Sequence, residues 1–225
     1  MKSNYTETEN NNKQQLYSSV GKWIVYGLII VILLFLDQWT KILAINNLKD
    51  KNSIVIFKDI FELSYVENRG AAFGMLTGRV DFFVIITCIL IPVLVYAIYK
   101  INSIVKVYSD NVNIKAYKVL QFDFVVLIAG ALGNFIDRVL NGYVVDFLYF
   151  KLIDFPVFNV ADIYVTLATI VLLYMMFFVF KERELDFILC SKKKWDEISN
   201  KEYNDDKKKD DITKIDTDNC EKNSN

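Results

Sequence analysis

Apolar residues gather into four segments along the chain, and polar residues separate them. The segments run roughly over Val20 to Ile45, Phe82 to Tyr99, Val119 to Leu140 and Val160 to Phe180. Each is close to the ~20 residues that an α-helix needs to cross the hydrocarbon core of a bilayer. The pattern therefore predicts an all-α membrane protein with four transmembrane helices.

The chain is polar at both ends, outside these segments. Residues 1–19 are rich in Asn, Glu and Lys, and residues 182–225 are charged and carry no apolar periodicity. No small-residue cleavage site follows the first apolar segment, so we expect a disordered cytoplasmic leader rather than a secretory signal. The last stretch is expected to be a solvated cytoplasmic tail, which leaves residues 20–181 as the membrane domain.

Two of the connections have patterns of their own. Between the first and second segments, IVIFKDIFELSYVEN at residues 54–68 is rich in β-branched and aromatic residues, which predicts a small strand-containing element. Gly70 and Gly74 then supply the chemistry of a sharp turn. Between the third and fourth segments, residues 141–158 are amphipathic and aromatic, which is typical of a short segment lying at the membrane interface.

Basic residues give the expected orientation, because lysine and arginine favour the cytoplasmic side of a membrane. They precede the first helix, separate the second from the third and follow the fourth, at Lys2, Lys13, Lys22, Lys100, Lys106, Lys115, Lys118, Lys181, Arg183 and Lys192 to Lys194. The loop of residues 46–81 has basic residues as well, but acidic residues accompany them. We expect both termini in the cytoplasm and the strand-containing element on the outer side.

Composition removes several kinds of chemistry. The 26 basic and 27 acidic residues leave a net charge of −1, so the chain has no overall electrostatic attraction for nucleic acid. It contains no histidine, which excludes Ser-His-Asp, Cys-His and His-metal sites. Cys88, Cys190 and Cys220 stand far apart without CxxC spacing, so neither a disulfide framework nor a metal site is expected. Catalysis would use carboxylates, lysine, serine or cysteine, and no cofactor is expected.

Ionisable and amide side chains stand where the predicted helices reach one face of the membrane. In an up-down-up-down arrangement, the exits of helices one and three meet the entrances of helices two and four. These ends, and the connection after helix three, hold Asp37, Asn134, Asp137, Arg138, Asp146, Asn159 and Asp162. Ionisable groups near a membrane span are costly, so their joint placement predicts one pocket at the outer leaflet.

Helical spacing places these side chains on common faces. Gly130, Asn134, Asp137 and Arg138 fall at i, i+4, i+7 and i+8, and Asn159 and Asp162 fall at i and i+3, so that each set faces one way. Gly130 and Gly133 also remove side-chain bulk, which is how membrane helices commonly approach each other closely.

The polar residues also have purely structural interpretations. Asp137 and Arg138 are adjacent opposite charges and could simply neutralise each other at a helix end. Asn159 and Asp162 could satisfy the free backbone N–H groups at the start of helix four.

Asp37 could merely mark the end of helix one, with Trp39 and Lys41 as anchors at the membrane interface. Independent structural devices of this kind would scatter over both membrane faces. The carboxylates gather at one face instead, which favours a shared site.

Five sequence blocks stand in order along the chain. They are LDQWTK at 36–41, ENRGAAFG at 67–74, GALGNFIDR at 130–138, VVDF at 144–147 and FNVAD at 158–162. With these blocks, residues 20 to 181 resemble the bacterial lipoprotein signal peptidases (signal peptidase II). The presence of all five makes the resemblance specific.

The resemblance implies the roles of the site residues. The aspartates of the VxDF and FNxAD blocks are the catalytic pair of that family, which carries over to Asp146 and Asp162. The residues that would line or brace the pocket are Asp37, Asn68, Gly70, Asn134, Arg138 and Asn159, and those with a structural role beside it are Asp137 and Ala161.

The resemblance also implies the substrate and the location. The substrate would be a prolipoprotein whose signal peptide ends just before a diacylglyceryl-cysteine, with cleavage on the amino side of that cysteine. The protein would act as a monomer in the bacterial cytoplasmic membrane, surrounded by membrane lipid, with its site toward the outer face.

Two aspartates close together in a low-dielectric cleft suit this chemistry, because one holds a proton while the other deprotonates a water molecule. Intramembrane carboxylates are equally typical of ion- or proton-coupled carriers. However, only Pro92 interrupts a predicted span, and the carboxylates lie at one edge of the membrane. A noncatalytic scaffold that binds lipoproteins is a third class, and the presence of both Asp146 and Asp162 argues against it.

Overall fold

The computed structural model describes residues 2–70, 78–107 and 113–180. The long helices in these ranges are α1 (Lys2–Leu48), α2 (Val80–Val107), α3 (Ile114–Asn141) and α4 (Val160–Tyr174), and α4 continues into a π-helical turn at Met175–Val179. Each helix contains an apolar stretch long enough to cross a membrane, at Val20–Leu48, Val80–Ser103, Ile114–Asn141 and Val160–Val179. The prediction of four transmembrane helices is confirmed.

Helix α1 begins well before its apolar part. The backbone is helical from Lys2, although residues 1–19 were predicted to be a disordered leader. Residues 2–20 contain neither glycine nor proline, and Lys, Gln and Glu are good helix formers, so no residue in this stretch breaks the helix. The predicted tail, residues 182–225, lies outside the described residues.

Helix α3 is the central helix of the membrane domain. Its apolar stretch is 61% buried, against 6% for that of α1 and 11% for those of α2 and α4. Asn113 caps its start by accepting a hydrogen bond from the backbone N–H of Ala116, and Gly142 ends it with a φ of 74°. The other helices pack around α3 and expose most of their apolar side chains, as lipid-facing helices do.

A small antiparallel sheet connects the helices at one end. Its strands are β1 (Ile54–Phe57), β2 (Phe61–Asn68) and β3 (Val144–Phe150), in the order β1-β2-β3. The hairpin of β1 and β2 confirms the strand-containing element predicted at residues 54–68.

Strand β3 comes from the connection that was predicted to lie at the interface. Its first four residues are buried, and two of them, Val145 and Phe147, pack against Ala44 and Leu48 near the end of α1. A strand covered on both faces lacks the apolar and polar alternation by which a half-buried strand is recognised.

The chain folds back on itself after β3. A single 3-10 turn at Lys151–Ile153 is followed by Asp154 in the left-handed conformation, with a φ of 48°. Phe158 then pairs with Leu148, donating to its carbonyl oxygen at 3.0 Å and accepting from its N–H at 2.8 Å. This return brings the start of α4 beside the middle of β3.

Candidate active site

Asp146 lies within β3, opposite Val66 of β2, and its side chain is buried. Its Oδ2 accepts a hydrogen bond from Nδ2 of Asn68 at 2.8 Å, and its Oδ1 accepts one from Nδ2 of Asn159 at 2.6 Å. Burial and, second, the negative charge of Asp162 raise the pKa of Asp146 to about 7, although the two amide donors act in the opposite direction. Near neutral pH its protonated and ionised forms are therefore both populated.

Asp162 lies in the first turn of α4. Its Oδ1 accepts a hydrogen bond from Nδ2 of Asn134 at 2.7 Å, and its Oδ2 accepts one from the backbone N–H of Asn159 at 3.1 Å. In return, Oδ1 of Asn159 accepts from the backbone N–H of Asp162 at 3.1 Å, which completes a capping box. The interpretation of Asn159 and Asp162 as a helix cap is thus confirmed. Both residues also form hydrogen bonds outside the cap, Asp162 with Asn134 and Asn159 with Asp146.

Asn159 joins the two carboxylates. Its fully buried side chain donates to Asp146 and, at 3.0 Å, to Oδ1 of Asn134, while its backbone N–H donates to Asp162. Asp146 and Asp162 therefore bind the same residue, one through the side chain and the other through the main chain. The negative charge of Asp162 accordingly disfavours ionisation of Asp146 and raises its pKa.

A buried ion cluster formed by Asp37, Lys41 and Asp137 adjoins these residues. Nζ of Lys41 is 2.9 Å from Oδ2 of Asp37 and 3.0 Å from Oδ2 of Asp137, and it donates to Oδ1 of Asn134 at 3.1 Å. The side chain of Lys41 is only 2% exposed. The alternative interpretation, in which Lys41 is an interface anchor, is therefore wrong, since its ammonium group is buried among carboxylates. Trp39, the other anchor in that interpretation, is half exposed.

Asp37 ties α1 to α4 through this cluster. Its Oδ1 accepts a hydrogen bond from the backbone N–H of Ala161 at 2.9 Å, one of the N–H groups left free in the first turn of a helix. The close packing of α1 and α4 against α3 requires glycine on α3. A Cβ on Gly133 would lie 2.5 Å from Oδ2 of Asp37, and one on Gly130 would lie 2.7 Å from the carbonyl oxygen of Ala161. The packing role predicted for both glycines is confirmed.

Asp137 connects the ion cluster to β3. Its Oδ2 accepts a hydrogen bond from the backbone N–H of Val145 at 3.1 Å, and its Oδ1 accepts one from Nε2 of Gln38 at 3.0 Å. Its ionic partner is Lys41 rather than Arg138, so the suggestion that Asp137 and Arg138 neutralise each other is wrong. Asp137 instead fixes the backbone one residue before Asp146.

Arg138 forms no ion pair within 4.0 Å among the described residues. Its guanidinium carbon lies 4.6 Å from the ring centre of Phe83 on α2, and its Nη2 is 3.5 Å from the carbonyl oxygen of Gly70. Gly70 in turn donates its N–H to Oδ1 of Asn68 at 2.9 Å. Ala71, Ala72 and Gly74, which the sequence also assigns to this loop, lie outside the described residues.

The structure brings the predicted site residues together and adds two that sequence reasoning missed, Gln38 and Lys41. A signal for Lys41 was present, because it stands four residues after Asp37 and helical residues at that spacing pair. Gln38 gave no such signal, since its contacts with Gly133 and Asp137 depend on how α1 is rotated against α3.

The arrangement suits acid–base catalysis by two carboxylates. Within residues 2–70, 78–107 and 113–180, no group of three or more Cys, Asp or Glu side chains is placed to hold a metal ion. Asp146 is buried, whereas Asp162 is partly exposed in the first turn of α4. Such different environments separate the roles of acid and base.

Comparison with known proteins gives a consistent result. Residues 29–178 match the family model described as signal peptidase (SPase) II. The lipoprotein signal peptidase of Clostridioides difficile strain 630 is 40% identical over 161 residues, which are 71% of this chain and 100% of that protein. The lipoprotein signal peptidase of Caldanaerobacter subterraneus subsp. tengcongensis is 42% identical over 151 residues, which are 67% of this chain and 94% of that protein.

Solved structures show the same fold. A bacterial membrane enzyme determined by the in meso method at 2.3 Å resolution is 34% identical and has a TM-score of 0.54, covering 70% of this chain and 93% of that one. A second in meso structure, at 1.9 Å resolution, is also 34% identical, with a TM-score of 0.55 and coverage of 69% and 94%.

Proposed function

The chain belongs to the signal peptidase II family, and we propose that Asp146 and Asp162 are the catalytic pair with which it removes signal peptides from lipid-modified prolipoproteins. The observation that carries the proposal is the double attachment of Asn159, which holds one carboxylate by its side chain and the other by its backbone N–H. The relatives named above give the carrier alternative no support, and the carboxylates gather at one end of the helices.

The proposed reaction needs one proton on the pair. The ionised aspartate takes a proton from water, and the resulting hydroxide attacks the scissile carbonyl carbon while the protonated aspartate donates to the carbonyl oxygen. A proton then passes to the amide nitrogen, the C–N bond breaks, and a carboxylic acid and an amine leave. The raised pKa of Asp146 supports this scheme, because it keeps a proton available near neutral pH.

Arg138 is proposed to assist at the substrate. The negative charges of Asp162, Asp146 and Asp137 act on its guanidinium group. A guanidinium held by Phe83 and the Gly70 carbonyl can bind a backbone carbonyl oxygen of the peptide, or the negative charge that develops on it.

The substrate is proposed to arrive from the outer leaflet, with both termini of the enzyme in the cytoplasm. Lys22, Lys100, Lys115 and Lys118 lie at the ends of the membrane-spanning stretches opposite the sheet, as expected for a cytoplasmic face, whereas acidic residues accompany the basic ones at the sheet end. At the sheet end, the tip of the hairpin and the turn after β3 expose Phe57, Leu152 and Ile153 at 62%, 68% and 69%. These apolar side chains are proposed to lie in the interfacial region of the outer leaflet, beside the lipid chains of the substrate.

The test of function is cleavage of a defined substrate by the purified full-length chain in detergent. A prolipoprotein carrying diacylglyceryl on its cysteine is expected to be cut directly before that cysteine, as read from the masses of both products. The same prolipoprotein without the lipid is the control and should remain intact. Cleavage elsewhere, or equal cleavage of both forms, would contradict the proposed substrate class.

A further inference from the structure

Lys41 is the cation of the buried ion cluster. A single residue, Asn134, connects it by hydrogen bonds to Asp162 of the aspartate pair. We propose that Lys41 is a positioning residue for that pair, fixing through its three partners the groups that hold Asp146 and Asp162. The inference rests on the proposed function, because it concerns the same two carboxylates.

Each of the three residues that Lys41 contacts makes a further hydrogen bond, either to Asp162 itself or to the backbone directly before Asp146 or Asp162. Asn134, which accepts from Nζ at 3.1 Å, donates to Asp162 at 2.7 Å. Asp137 accepts from the backbone N–H of Val145, the residue before Asp146.

The third partner also leads to Asp162, through the backbone of α4. Asp37 accepts from the backbone N–H of Ala161, the residue before Asp162. The ammonium group of Lys41 thus holds in place the two carboxylates, Asp37 and Asp137, that bind the backbone of α4 and of β3.

Lys41 also favours one orientation of the Asn134 amide. An ammonium group only donates hydrogen bonds, so the side-chain oxygen of Asn134 must face it. The amide nitrogen then points to Oδ1 of Asp162, and Asn159 supports the same orientation by donating to the same oxygen. Without Lys41, one of these two constraints is lost and the two carboxylates of the cluster repel each other.

The charge of Lys41 matters as well as its hydrogen bonds. The charged groups around the pair are Asp37 and Lys41 from α1 and Asp137 and Arg138 from α3, while β2 contributes the neutral Asn68. The positive charge of Lys41 favours the ionised form of Asp146. Removing it should therefore raise the pKa of Asp146 and move the alkaline limb of the pH profile to higher pH.

The experiment compares Lys41→Met with the double variant Lys41→Met/Asp137→Asn in the lipid-modified prolipoprotein assay. The single variant changes the formal charge of the ion cluster from −1 (one lysine, two aspartates) to −2, and the double variant restores −1 without restoring the donor. Lys49→Met is the control, because Lys49 is a half-exposed lysine paired with Glu67 rather than with the ion cluster.

For Lys41→Met we expect kcat to fall between about tenfold and a hundredfold with little change in KM, and the pH profile to move upward. The double variant should regain the pH profile of the unmodified enzyme but not its kcat. Lys49→Met should match the unmodified enzyme in both respects.

Three results would overturn the inference: an unchanged kcat for folded Lys41→Met, full recovery of kcat in the double variant, or failure of both variants to fold. Recovery would mean that Lys41 only balances charge, and failure to fold would make it a folding determinant. Asp162→Asn is assayed in parallel. If it is active, the proposed catalytic pair is wrong; if it is inactive while Lys41→Met is normal, only the role of Lys41 is wrong.

Discussion

Asp162 combines two tasks in one side chain. Its Oδ2 caps the first turn of α4 together with Asn159, and its Oδ1 accepts from Asn134 on α3. A helix cap restricts the side chain to one position, which is what a catalytic carboxylate requires. The capping role and the proposed catalytic role therefore support each other, although at first they look like competing explanations of the same residue.

The pKa of Asp146 predicts how activity depends on pH. Its pKa is raised to about 7, so its proton is present below that pH and is lost as the pH rises through it. Because the proposed mechanism needs that proton, kcat/KM should fall about tenfold per pH unit on the alkaline side. The measurement is the pH profile of prolipoprotein processing, and a rate that stays constant well into the alkaline range would contradict the assignment.

Gly133 provides a test of the packing around Asp37. In Gly133→Ala, the new Cβ would lie 2.5 Å from Oδ2 of Asp37, so the variant should lose about 1–3 kcal/mol of stability along with activity. Gly27→Ala on α1 is the matched control, since a Cβ there meets no atom within 4 Å. Thermal unfolding in detergent measures the difference, and equal midpoints for the two variants would refute this packing.

Among the secondary-structure elements, the helices were predictable and β3 was not. Length and apolar content identify a membrane helix locally, whereas β3 exists because β2 pairs with it and α1 covers it. The position of Lys41 was missed for a similar reason. A lysine near a helix end looks like an interface anchor until the rotation of the helix places it against Asp137.

The hairpin and the α2–α3 connection are expected on opposite sides of the membrane. In a background without Cys88, Cys190 and Cys220, a membrane-impermeant maleimide should label Lys58→Cys in intact cells and Lys115→Cys only after the cells are opened. Both positions are exposed, so access depends on the side of the membrane rather than on burial. The reverse labelling pattern would invert the proposed orientation.

For the molecule as a whole, the five sequence blocks predicted which residues meet, and the fold explains how they do. Asn68, Asn134, Asp146 and Asn159 come from β2, α3, β3 and the start of α4, yet a continuous set of hydrogen bonds joins them. The blocks carried no information on the partners within this set. Those partners follow from the return of the chain after β3 and the central position of α3.

Not every buried carboxylate is bonded in this way. Asp123, in α3, is 5% exposed, and its Oδ2 has no hydrogen-bond partner among the described residues, which costs about 1–3 kcal/mol. Asp123→Ala should therefore raise the unfolding temperature in detergent. Asp37→Ala is the contrasting variant and should lower it by breaking a buried ion pair. A lower midpoint for Asp123→Ala would show that this carboxyl group has a stabilising partner.

The most direct measurement is the processing rate of a diacylglyceryl-modified prolipoprotein by Asp146→Asn and by Asp162→Asn, with each variant verified as folded. Asp154→Asn is the control, because asparagine tolerates the left-handed backbone of that exposed position. Each of the first two variants is expected to be slower by about a hundredfold to ten-thousandfold, and the control should be unaffected. Processing at the unmodified rate by either folded variant would contradict the proposal that these two aspartates work as a pair.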